Sequence, residues 1–205
     1  MPTLSGFPLL LRSITLSQAA KTLTLLSVDD YLGLEQTSAT RYELVDGQLY
    51  AMVGATDVHN LIVQGFAAAL RKRLKGSGCR IFTETVKLRV GDNFRYPDIF
   101  VTCAASDNDP LIKTQPVLIA EVLSDTTRRR DQEEKRDEYR QITSLRHYVL
   151  LEQANVSARC WTHQDDGWTL SRVAADSELE LTAFDCGIPL AEIYEEIGED
   201  LTRNT

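Results

Sequence analysis

The chain contains no glycine-rich dinucleotide fingerprint and no Walker loop, which removes two common nucleotide-cradling designs from consideration. It has no CxxC pair. Its four cysteines, Cys79, Cys103, Cys160 and Cys186, are scattered, so zinc-ribbon and thioredoxin-like chemistry find no support and all four are read as reduced thiols. Positive charge is in deficit, with 22 basic residues against 30 acidic ones and a formal charge of -8, so a polyanion needs a local basic face or metal ions to approach. Long apolar runs are missing too. The stretch Phe7 to Leu11 is cut by Arg12 and has no basic segment before it, which argues against a signal peptide or a spanning helix and makes the cytoplasm the expected compartment.

What remains is a globular composition. With 43% hydrophobic and 25% charged residues, disorder and collagen-like structure are excluded, and 205 residues suit one domain with a substantial core. A poorly ordered arm is expected over residues 1–26, a single domain over 27–197 and a tail over 198–205. Ser27 can cap a short helix whose first turn carries Asp29 and Asp30. The dipeptide Asp46-Gly47 between two short apolar runs predicts a hairpin with Glu43 opposite Tyr50 and Leu44 opposite Leu49.

From Asp57 to Leu74, apolar residues at three- and four-residue spacing predict an amphipathic helix, with Arg71, Lys72 and Lys75 on its solvated side. Strands are expected over Cys79 to Val90, Tyr96 to Cys103, Val117 to Leu123 and Arg146 to Leu151, with a charged helix from Arg128 to Ile142 between the last two. Further antiparallel strands, an Asp166-Gly167 turn and a short helix over Ile188 to Ile197 complete the chain. This order implies an α+β (α/β) fold: a mixed central sheet flanked by helices, with extra antiparallel strands toward the C-terminus.

Chemistry is signalled by acids where a core should have none. Glu121 interrupts a seven-residue apolar run, and a carboxylate there costs several kcal/mol unless it is paired or bound to a cation. Asp98 follows Pro97 at the start of another apolar strand. Two such acids on adjacent strands could form an oxygen-rich pocket for Mg2+. On the charged helix, at about 100° per residue, Asp131, Lys135, Tyr139 and Ile142 fall within roughly 80°, which turns the root of Lys135 inward. That lysine could stabilise charge developing on a phosphate or simply pair with Glu121 or Asp131. The run Arg128, Arg129 and Arg130 reads either as a hold on a nucleic-acid backbone or as a solvated helix end.

Tyr96-Pro97-Asp98, then Pro116 to Ser124 around Glu121, then Asp131, Lys135 and Tyr139, and Arg146 to Leu151 together resemble the restriction-endonuclease-like Uma-two family of bacterial proteins. The hairpin Tyr42 to Gly47 and His59 at the next helix start match its amino-terminal pattern, and the resemblance spans roughly residues 27 to 197. That family is similar to the PD-(D/E)xK nucleases, in which an Asp and a Glu bind Mg2+ or Mn2+ and a lysine completes the site. The usual lysine position, two residues after the second acid, holds Leu123 here, so Lys135 takes its place. Glu43 is a further candidate for the metal site, and His59 for phosphate contact or acid–base work, whereas His147 and His163 read as structural.

The resemblance thus implies a metal-dependent endonuclease, Asp98 and Glu121 holding Mg2+ or Mn2+ and Lys135 stabilising the transition state. DNA is the expected substrate ahead of RNA, and a homodimer the expected assembly. The alternative is a nuclease-like fold serving as a binding or assembly module without catalysis.

Overall fold

The computed structural model describes residues 25–52, 54–123 and 130–197, and of residues 130–132 the backbone alone. The arm expected over residues 1–26 lies outside the described residues but for Leu25 and Leu26, and so does the tail over 198–205. Helix α1 (Val28–Glu35) starts where expected: the Ser27 hydroxyl accepts from the Asp30 N–H, and the Asp30 carboxylate accepts from the Ser27 N–H. Strands β1 (Tyr42–Val45) and β2 (Gln48–Ala51) pair in the expected register around Asp46-Gly47, both at positive φ. Helix α2 (Asp57–Arg73) is capped by Thr56, whose hydroxyl accepts from the His59 N–H.

The strand expected over Cys79 to Val90 divides between two sheets, and the one over Tyr96 to Cys103 is shortened. The first becomes β3 (Arg80–Thr83) and β4 (Lys87–Val90); the second is confined to β6 (Ile99–Thr102), preceded by β5 (Asn93–Arg95). Both breaks have local causes. Glu84 sits at a φ of 48°, which no ladder accommodates, and Pro97 has no N–H to give one.

A six-stranded sheet runs β11-β10-β9-β8-β6-β3. Its centre is β8 (Pro116–Leu123), antiparallel to β6 and parallel to β9 (His147–Glu152). Strands β10 (Ala158–Gln164) and β11 (Gly167–Val173) turn at Asp165-Asp166, one residue earlier than expected, because Gln164 pairs with Gly167. A five-stranded sheet runs β2-β1-β5-β4-β7, with β7 at Ile112–Lys113. Strands β12 (Glu178–Leu181) and β13 (Cys186–Pro189) form a separate pair, so the closing helix expected over Ile188 to Ile197 shrinks to α4 (Leu190–Ile193).

The layers follow from alternation along each strand. Leu118, Ala120 and Val122 face α2 and α4 on one side of the six-stranded sheet. Ile119 and Leu123 face the other way, packing with Tyr139, Tyr148, Trp161 and with Leu88 and Val90 of the second sheet. Beyond that sheet, Leu44 and Phe94 pack on Tyr31 of α1. The described part of the β8–β9 crossover is a π-helical turn (Arg130–Lys135) leading into α3 (Arg136–Tyr139), which ends before the expected Ile142. After Tyr139 the amides of Gln141 and Ile142 bond three residues back, and the chain tightens into turns.

Two of the cysteines are not reduced thiols. Cys79 and Cys103 form a disulfide, because Arg80 pairs with Thr102 and the next positions outward face each other with Cα atoms 4.0 Å apart. Cys160 and Cys186 are free. Among the described residues no helix is long and apolar enough to cross a membrane.

His147 is structural, as expected. Fully buried, it accepts the Ala183 N–H at Nε2 (3.1 Å), while Nδ1 lies 3.3 Å from the Thr162 hydroxyl. Burial pushes its pKa down to about 4 from an ordinary value of 6.5. A depressed histidine pKa gives stability that is complete above the unfolded pKa and is lost as pH falls toward the folded one, here about 3 kcal/mol between those two values. Urea unfolding at pH 7 and at pH 4.5 should therefore show a smaller pH penalty for His147→Gln than for the parent chain; equal penalties would contradict the assignment.

Candidate active site

Glu121 sits near the C-terminal end of β8 and is 2% exposed. Alternation turns it to the same side as Ile119 and Leu123, toward the crossover helix. There the Lys135 ammonium donates to its Oε1 at 2.8 Å and the Tyr139 hydroxyl donates to the same oxygen at 3.0 Å. The four-residue spacing that stacks Lys135 over Tyr139 on one helical face delivers both to one carboxylate. Burial first, and the Glu121 charge second, push the Tyr139 phenol well above its ordinary pKa, so it stays a protonated donor.

The register that pairs Ile99 with Ala120 brings Asp98, one step on, across from Glu121. Asp98 does not lie inside the ladder. Its Oδ2 accepts the Val122 N–H at 2.7 Å, so a side-chain oxygen takes the place of a ladder carbonyl. Its Oδ1 lies 3.4 Å from His59 Nε2, which is also 3.8 Å from Glu84 Oε1. His59 comes from the first turn of α2, and that turn is tied to the end of β8: the Thr56 hydroxyl donates to Gln153 Oε1, and the Gln153 amide donates to the Leu123 carbonyl. The strand break at Glu84 and Pro97 is thus also where the acids collect.

Glu43 is buried beside a different cation. Its Oε2 accepts from Arg95 at 3.2 Å and its Oε1 from the Tyr96 N–H at 3.2 Å. Arg95 is fully buried and also donates through Nε and Nη2 to Glu138 Oε2 on α3. Burial alone would lower the Arg95 pKa, but the Glu138 hydrogen bond and the surrounding negative charges outweigh it, and the net shift is upward. The structure therefore brings Asp98, Glu121, Lys135 and His59 to one end of the central strand and ties Glu43 to the helix that carries Lys135. Arg128 and Arg129 lie outside the described residues, and of Arg130 only the backbone is described.

Sequence reasoning missed Glu84, which has no signal beyond its charge, and the use of the Tyr139 hydroxyl. Arg95 was detectable by the argument that found Glu121, since it stands between Phe94 and Tyr96 in a short strand.

The Uma2 family model, described as "Putative restriction endonuclease", matches residues 28–191. Two proteins of Synechocystis sp. (strain ATCC 27184 / PCC 6803 / Kazusa) are similar to the chain. Uncharacterized protein slr1290 is 30% identical over 173 residues, covering 82% of this chain and 91% of its own length. Uncharacterized protein sll1609 is 28% identical over 137 residues, covering 64% and 77%. A solved structure from Anabaena variabilis ATCC 29413, titled as "a putative nuclease belonging to DUF820", superposes with a TM-score of 0.65 at 14% identity. The match covers 83% of this chain and 98% of that one, so the fold is shared.

Proposed function

Since the chain belongs to the Uma2 family of restriction-endonuclease-like proteins, we propose that it is a divalent-metal-dependent endonuclease, active on DNA as a homodimer. One observation carries this reading: a carboxylate buried in the central strand, bonded to an inward lysine, with a second carboxylate at the register position across from it.

The donor set fits a hard cation, being carboxylate oxygens from two adjacent strands held by backbone and lysine contacts. Asp98 and Glu121 would hold Mg2+ or Mn2+, which when bound supplies charge stabilisation to phosphoryl oxygens and activates water. Lys135 presents an ammonium beside Glu121, where negative charge grows on a phosphate during displacement. Tyr139 keeps the Glu121 carboxylate in one orientation by donating to it. Glu43 contributes through Arg95 and Glu138, fixing the helix from which Lys135 projects. His59 is close enough to Asp98 to act on the same phosphate. Arg128, Arg129 and Arg130 would meet the backbone of the nucleic acid, with binding that weakens as salt rises.

Chelator-treated protein is expected to leave supercoiled plasmid DNA intact and to nick or linearise it once Mg2+ or Mn2+ is added. A parallel assay on RNA tests the choice of substrate. Failure to cut either polymer with either ion would remove the hydrolytic reading and favour a binding module.

A further inference from the structure

His59 and its two acidic neighbours are spaced more widely than charge-assisted hydrogen bonds alone would set them. A charge-assisted N–H···O bond closes to roughly 2.7–2.9 Å. The 3.4 Å and 3.8 Å from His59 Nε2 to Asp98 Oδ1 and Glu84 Oε1 are longer than that. Ligands held about 2.0–2.2 Å from one ion lie roughly 3–4.4 Å from each other. The three ligand atoms here all fall within 4.8 Å of one another.

The three residues are placed by hydrogen bonds of the surrounding backbone. His59 is set by the capped first turn of α2, and Asp98 by the Val122 N–H. The Glu84 main-chain N–H is set by the Asp98 carbonyl at 3.2 Å. Because Asp98 Oδ2 is committed to the backbone, Oδ1 is the oxygen turned toward His59. The Glu84 side chain is 34% exposed, so water or a phosphate oxygen can reach the group from solvent.

We propose that His59, Glu84 and Asp98 form a second divalent-cation site, suited by its mixed imidazole and carboxylate ligands to a first-row transition ion such as Zn2+ or Mn2+ ahead of Mg2+. Three protein ligands leave coordination positions open, as in catalytic sites. The site shares Asp98 with the acid pair, and its role in cleavage rests on the endonuclease reading; its existence does not.

The test is Mn2+ binding to the full chain without nucleic acid, followed by the loss of the free-ion paramagnetic resonance signal. Loss of a second-shell contact typically weakens a metal site roughly 10–100-fold, so Glu84→Ala and His59→Asn should each weaken one class of Mn2+ site at least about tenfold. Pulsed spectra should show imidazole nitrogen coupling in the parent chain and none in His59→Asn. Glu121→Gln should retain that coupling. Unchanged Mn2+ affinity in Glu84→Ala, a partly exposed position outside the hydrophobic clusters, overturns the proposal. So does nitrogen coupling that persists without His59. If Glu84→Ala weakens binding while the parent chain cuts no polymer, the site stands and the endonuclease reading falls.

Discussion

Glu121→Gln is expected to lower metal-dependent plasmid cleavage by roughly 10³-fold, equivalent to about 4 kcal/mol of transition-state stabilisation. Glutamine keeps the shape and an acceptor oxygen for Lys135 and Tyr139, so the two donors that now meet at Oε1 retain a partner. What goes is the negative charge that would hold a hard cation. The accompanying loss of stability is expected at the low end for a broken buried ion pair, about 3 kcal/mol, because the buried Lys135 ammonium loses its counter-charge but keeps an acceptor oxygen. Cleavage rate and thermal unfolding measured on one preparation separate the two effects. A variant that folds and cuts like the parent would remove Glu121 from the chemistry.

The largest stability effect is expected at Arg95. Its guanidinium is 0% exposed and joins Glu43 on β1 to Glu138 on α3, between the five-stranded sheet and the crossover helix. Arg95→Met leaves two carboxylates without their shared cation in a region water does not readily reach. Breaking a buried pair in this way costs about 3–5 kcal/mol. For a domain of this size that is a fall of roughly 10 °C in Tm, readable by calorimetry. The triple variant Arg95→Met, Glu43→Gln, Glu138→Gln should recover much of the loss, since the uncompensated charges are then gone. A single variant that melts with the parent would mean that the cluster is solvated and contributes little.

The parts of the site legible in the sequence are those where two rules collide. A carboxylate inside the Val117 to Leu123 run cannot be there for packing, and a lysine sharing an arc with Tyr139 and Ile142 cannot be wholly solvated; the Lys135–Glu121 contact resolves both conflicts. The fold class, the hairpin register and the capped helices α1 and α2 were readable for the same reason, because local propensity and burial agreed. The breaking of the two expected strands at Glu84 and Pro97 was not. It depends on a positive φ at Glu84, a residue type that gives no warning of one, and on Pro97 ending a pairing whose partner the sequence does not specify. Pairing also hid the Cys79–Cys103 disulfide, which exists only because Arg80 faces Thr102. Glu84 escaped notice because an acid after a strand is ordinary until a histidine 25 residues earlier is found beside it.

The Asp98–Val122 contact gives position 98 two masters. An alanine there would forfeit the proposed ligand and also strand an interior amide, a penalty of about 1–3 kcal/mol that an asparagine would largely avoid. Substitution at Asp98 therefore meets resistance from folding that it does not meet at the partly exposed Glu84. Relatives of this fold should tend to retain an oxygen acceptor at this position whether or not the rest of the proposed metal site is kept.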